Sequence, residues 1–93
     1  VGAFKYSRDD LHLTEEKKQQ IIQSCQSDAF DSFGEYRIKE VSKLDGFKFF
    51  IEENEWVMIR PSGTEPVLRV YCEASNMDRV NDILKSARET ILN

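Results

Sequence analysis

Three stretches of strand-like sequence, 47–51, 56–60 and 67–74, follow one another with only short breaks between them, and residues at helical spacing flank the set on both sides. An alternation of period two buries one face of a strand and wets the other, so such stretches demand a sheet with something packed against one side. In the last of them Leu68, Val70, Cys72 and Ala74 share one face, and Arg69, Tyr71 and Glu73 the other. Tyr36 and Ile38 begin a further strand, and Asp45-Gly46 before Phe47 is a strong hairpin signal. Glu53 and Asn54 make the next turn, and residues 61–66 form the third break. Four antiparallel strands are expected.

The flanking segments read as helices. Thr14 is placed as an N-cap, with Glu15 and Glu16 in the first turn and Ile21, Ile22, Cys25 and Ala29 at helical spacing, which predicts a helix over 15–27. Ser75-x-x-Asp78 resembles a capping box, and Met77, Val80, Leu84, Ala87 and Ile91 form the apolar stripe of a last helix. The fold class is therefore α+β: a two-layer sandwich of a four-stranded antiparallel sheet with both helices on one face and the other face partly open. Residues 1–13, with Phe4, Tyr6, Leu11 and Leu13 among charges, read as an extended connector that forms one edge strand.

A chain of 93 residues is one domain, and at this size only some 60 to 65% of the unfolded surface is buried, too little for a deep enclosed site. With 13 Lys and Arg against 17 Asp and Glu, the net charge is -4, the wrong sign for a protein that coats phosphate backbones, so no nucleic-acid partner is expected. The longest apolar run, residues 56–59, is far below the roughly 20 needed to cross a bilayer, and no signal-peptide pattern opens the chain. A cytoplasmic protein without a membrane partner is the expectation. Cys25 and Cys72 lie far apart without a CxxC and read as small buried hydrophobes, and His12 stands between Leu11 and Leu13 with no catalytic partner nearby.

Chemistry concentrates in Arg60-Pro61-Ser62-Gly63-Thr64-Glu65-Pro66. Pro61 stiffens the backbone, Gly63 lets backbone N–H groups approach a ligand, and Ser62 and Thr64 carry hydroxyl donors. Arg60 offers a planar fork matched to two phosphate oxygens, and Arg69 on the polar face of the next strand supplies a second positive charge. The spacing is not that of a Walker loop, and the segment runs strand to strand. Two readings stay open on composition alone: an anion-binding loop, or a hydrophilic turn in which Arg60 pairs with Glu65.

The same seven residues, with Val67-Leu68-Arg69-Val70-Tyr71-Cys72-Glu73-Ala74 after them, closely resemble the phosphate-binding loop and following strand in the C-terminal domain of the α-D-phosphohexomutases. The turn Asp45-Gly46-x-Lys48 is similar to the phosphoglucomutase/phosphomannomutase branch; phosphoglucosamine mutases usually carry Lys at the position of Pro61. The resemblance implies a TATA-binding-protein-like fold for residues 1–93, with 1–13 as connector. It also implies a four-domain parent enzyme, an isomerase that moves a phosphoryl group between C1 and C6 of a hexose through a phosphoserine and Mg²⁺ held in other domains. This chain would then hold no catalytic residue, metal or cofactor, would be inactive alone, and would have the phosphosugar and the other domains as partners. Arg60, Pro61, Ser62, Gly63, Thr64 and Arg69 would bind the phosphate that is not reacting. Asp9-Asp10 and the pair Asp28 and Asp31 lack the family's metal-binding pattern and read as solvated turns. The start at Val1 without Met favours an excised domain. A free-standing interaction module, anchored by Trp56, Phe50 and Tyr71 on the open sheet face, is the alternative.

Overall fold

Thr14 stays extended and its hydroxyl accepts the Lys17 amide at 3.1 Å, so the connector ends there and helix α1 runs Glu15–Gln26. The computed structural model describes residues 4–44, 46–52 and 54–92. Among them, strands β1 (Lys5–His12), β4 (Glu40–Ser42), β5 (Phe47–Glu52), β6 (Glu55–Pro61) and β7 (Val67–Ala74) form one antiparallel sheet in the order β1-β7-β6-β5-β4. Strands β2 (Ser32–Phe33) and β3 (Tyr36–Arg37) make a separate two-stranded ribbon, and helix α2 spans Met77–Leu92.

The main sheet has five strands, not four, because the connector pairs with β7 along its whole length, from Lys5 opposite Ala74 to His12 opposite Val67. An unpaired edge exposes a row of backbone donors and acceptors, and β1 satisfies them. Side-chain periodicity carries no record of that demand, since only Leu11 of β1 is fully buried. The predicted strand at Tyr36 is also corrected. Tyr36 pairs with Phe33 in the small ribbon, and pairing with β5 begins only where the Lys39 amide reaches the Phe50 carbonyl at 2.8 Å and Glu40 faces Phe50.

One face of the sheet carries the core. Phe47, Phe49 and Ile51 of β5, Val57 and Ile59 of β6, Leu68, Val70, Cys72 and Ala74 of β7 and Leu11 of β1 join Ile21 and Cys25 of α1 and Val80, Ile83, Leu84, Ala87 and Ile91 of α2 in one buried cluster. The expected helix stripe is present with two changes: Ile83 is buried and Met77 is 40% exposed. Asn76, not Ser75, caps α2, its side-chain oxygen accepting the Arg79 amide at 2.9 Å. The Ser75 amide instead donates to Glu55 at 3.0 Å.

Asp9 and Asp10 stand in β1 and not in a turn. Adjacent strand residues face opposite sides, so Asp9 reaches Arg88 of α2 at 3.7 Å while Asp10 lies 3.1 Å from Arg8 on the open face. Asp28 and Asp31 do occupy the turn after α1, where Asp28 pairs with Lys43 at 3.0 Å. At the β4–β5 connection Gly46 holds φ +89°, and an added Cβ would come within 3.0 Å of the Ile59 carbonyl oxygen; Asp45 of that predicted hairpin and Glu53 of the next turn lie outside the described residues. Among the described residues no helix is long and apolar enough to cross a membrane.

Candidate functional site

The loop between β6 and β7 is built outward from the last pairs of the hairpin. Arg60 faces Arg69, and Pro61 faces Leu68 at the end of the ladder. The chain is then closed by the Ser62 amide donating to the Val67 carbonyl at 3.0 Å, and the Leu13 amide donates to the Pro66 carbonyl at 2.9 Å, which ties the end of the connector to the loop. At the tip, the Ser62 hydroxyl oxygen accepts the amides of Thr64 at 3.4 Å and Glu65 at 3.3 Å. This serine turn holds the loop open and leaves the hydroxyl proton to donate elsewhere.

All six residues expected to bind an anion are at this one end of the sheet. Arg60 and Arg69 stand on the face opposite the core, Pro61 and Ser62 are half-buried, and Gly63 and Thr64 are exposed at the tip. A Cβ built on Gly63 meets no atom within 4 Å, so nothing in the protein itself requires glycine there. Gly63 is exposed, and the space beside it is open. The Arg69 Nε is buried and has no hydrogen-bond partner among the described residues. Asp10 is the third member of this cross-strand row, directly opposite Arg69. Its Oδ1 is 3.1 Å from Arg8 but lacks an aligned donor.

One residue of the site was missed by sequence reasoning. Lys18 of α1 is only 5% exposed, and its ammonium donates to the carbonyls of Ser62 at 2.7 Å and Glu65 at 3.0 Å. The signal was present: Lys18 precedes Ile21 by three positions and Cys25 by seven, which places it on the apolar face of the helix.

The residues named as anchors of an interaction face have partners within their own sheet. Lys48 Nζ lies 4.4 Å from the centre of the Trp56 ring and 5.2 Å from that of Phe50, Trp56 Nε1 donates to Glu73 at 3.2 Å, and Tyr71 stacks on Tyr6 with centroids 6.2 Å apart. A shallow cavity of about 300 Å³ lined by Asp31, Ser32, Glu35 and Arg37 lies on the β2–β3 ribbon, not at the loop. No three His, Cys, Asp or Glu side chains among the described residues converge on a metal position. His12 ends β1, exposed, opposite Val67.

Comparison with known proteins gives these observations a context. Residues 12–90 match the family of the phosphoglucomutase/phosphomannomutase C-terminal domain. The chain is 34% identical over 80 residues to a probable phosphoglucosamine mutase of Methanosphaera stadtmanae, covering 85% of this chain and 17% of that protein. It is 35% identical over 86 residues to the phosphoglucosamine mutase of Methanocaldococcus jannaschii, covering 91% of this chain and 18% of that protein. A phosphopentomutase of Thermococcus kodakarensis is 41% identical over 54 residues, 58% of this chain and 12% of that protein. The chain thus spans less than a fifth of the length of these relatives.

Proposed function

The chain belongs to the phosphoglucomutase/phosphomannomutase C-terminal domain family, and from that premise we propose that it grips the non-reacting phosphate of a phosphosugar while another part of a larger mutase transfers the second phosphate. The supporting observation is the pair Arg60 and Arg69, opposed across β6 and β7 at the base of a loop whose glycine opens onto empty space. Two planar guanidinium forks, the Ser62 and Thr64 hydroxyls and the Gly63 amide are donors matched to a dianion with three terminal oxygens. Pro61 restricts the chain where these donors meet.

In this reading the loop binds and orients and makes no bond. Binding energy at the remote phosphate positions the reacting end, so the loop contributes to turnover as well as to affinity. Phosphoserine and Mg²⁺ chemistry would come from outside this chain, and the fold would take the TATA-binding-protein-like place of the closing fourth domain. Glucose or mannose phosphates, exchanged between C1 and C6, are the proposed substrates of the parent enzyme in the cytoplasm. The relatives described above are named as glucosamine and pentose mutases and not as glucose or mannose mutases, a spread consistent with recognition of the phosphate here and of the sugar elsewhere. No observation favours the interaction-module alternative, because its aromatic anchors are occupied by Lys48, Glu73 and Tyr6.

The test is titration of the ¹⁵N-labelled chain with inorganic phosphate and with glucose 1-phosphate. Four or five charge-assisted contacts of about 1.5 to 3 kcal/mol each are set against roughly 4 to 15 kcal/mol of lost ligand freedom, so binding of about millimolar strength is expected, with shifts at Arg60, Arg69 and the loop. Resonances there that stay unmoved while the ligand reaches about 50 mM, far above the concentration expected to half-saturate the site, would overturn the reading.

A further inference from the structure

Lys18 is a charged residue inside the core layer, and the geometry of its ammonium fixes more than its own place. It donates to Ser62 O at 2.7 Å and Glu65 O at 3.0 Å, with the Glu15 carboxylate 3.7 Å away. Two carbonyls and a carboxylate are what a buried ammonium requires, and they are drawn from the loop and from one turn of α1.

The consequence lies in the peptide planes. All described peptide bonds are trans, so the C=O of Ser62 and the N–H of Gly63, which share one planar unit, point in opposite directions. A Ser62 carbonyl held inward onto Lys18 aims the Gly63 amide outward, on the side where the glycine leaves open space. The other loop amides are engaged: Ser62 with Val67, and Thr64 and Glu65 with the Ser62 hydroxyl. Among the described residues the Gly63 amide is left without an acceptor. At the second clamped carbonyl, Glu65, the next residue is Pro66, so that peptide unit has no N–H to misdirect.

We propose that Lys18 is a positioning residue of the anion site: it never touches the ligand, and by holding the Ser62 and Glu65 carbonyls from behind it presents the Gly63 N–H to the bound anion. Its charge also lies directly behind the loop and adds to the positive field of Arg60 and Arg69. This rests on the phosphate-binding reading above, since it assigns an orienting role within that site.

The experiment follows amide resonances of the ¹⁵N-labelled chain during titration with inorganic phosphate. In the wild type the Gly63 amide shifts together with the Arg60 and Arg69 signals. Lys18→Met keeps an unbranched stem in the core and removes the ammonium; it weakens phosphate binding about tenfold or more and abolishes the Gly63 response, while amides of β5 and α2 keep their positions. Lys18→Arg, which restores charge and donors, recovers part of both. A Lys18→Met chain that binds phosphate like the wild type, with the same Gly63 shift, overturns the inference and reduces Lys18 to a packing residue. A wild-type response at Arg60 and Arg69 with none at Gly63 also overturns it, leaves the phosphate site standing, and is readable whether or not Lys18→Met folds. No response in the wild type at all overturns both.

Discussion

Arg60 and Arg69 are direct cross-strand partners, and both side chains leave the β6–β7 hairpin on its uncovered side. Like charges so placed repel by roughly 0.2 to 1 kcal/mol, and Asp10 stands opposite Arg69 on the neighbouring strand. An oxyanion between the two forks reverses the sign of that term.

The two roles, binding and folding, separate cleanly in a pair of variants. Arg60→Ala, at an exposed position, changes stability by no more than about 1 kcal/mol, whereas Leu84→Ala, 8% exposed in the helix stripe, costs about 2 to 5 kcal/mol. In a complete mutase carrying this domain, Arg60→Ala lowers kcat/KM at least about tenfold. Chemical denaturation and steady-state kinetics measure both; an Arg60 variant as unstable as the Leu84 variant would make Arg60 structural.

Gly63→Ala probes the open space at the tip. The added methyl meets no atom within 4 Å and Gly63 is not at a left-handed φ, so stability stays within about 0.5 kcal/mol of wild type. Phosphate affinity falls severalfold because the methyl occupies the approach to the loop. A melting curve and a phosphate titration on the same sample check the two halves.

Much of this was legible in the sequence, and the misses share a cause. Helix α1, strands β5 to β7 and the α2 stripe follow from local periodicity and capping, and the loop from its composition. The edge strand expected of the connector is there as β1, but its place in the main sheet, which raises the count from four to five, was not legible, because β1 is recruited by the backbone edge of β7 and not by its own side chains. Tyr36 fits a strand pattern equally well in either sheet, and which one it joins is decided by its partner Phe33. Lys18 was hidden by the rule that lysine on a helix is solvated, which fails where carbonyls from a distant loop are waiting. Glu55, 6% exposed at an inward strand position, was hidden in the same way, by Arg79.

That last pair gives a pH signature. Arg79 donates to both Glu55 oxygens, and this bonding, with the Ser75 amide, holds the Glu55 carboxyl below its ordinary range despite partial desolvation. A group with a lowered folded-state pKa contributes stability above its unfolded value of about 4.3 and loses it as pH falls through the folded value. Denaturation midpoints measured from pH 7 to 3 therefore decline below about pH 4.3, and Glu55→Gln flattens that decline while costing about 1.5 to 3 kcal/mol at neutral pH.

Both cysteines are expected to be silent toward thiol reagents in the native state. Burial pushes Cys25 and Cys72 up to about 12, so at pH 8 only about one part in ten thousand is thiolate. Labelling with a chromogenic disulfide should be negligible until denaturant is added and then reach both thiols; rapid native labelling would mean that β7 or α1 opens readily.

The alternation along β6 sets Trp56, Met58 and Arg60 on one side of the strand, and Trp56 is the chain's single tryptophan. Four residues of strand place its indole about 13 Å from the guanidinium end, beyond direct reach of an anion in the loop. The molecule therefore carries its own optical gauge of what lies against the sheet: emission from Trp56, seated under Lys48 and beside Glu73, changes when another surface covers that face and stays level when only the loop is filled.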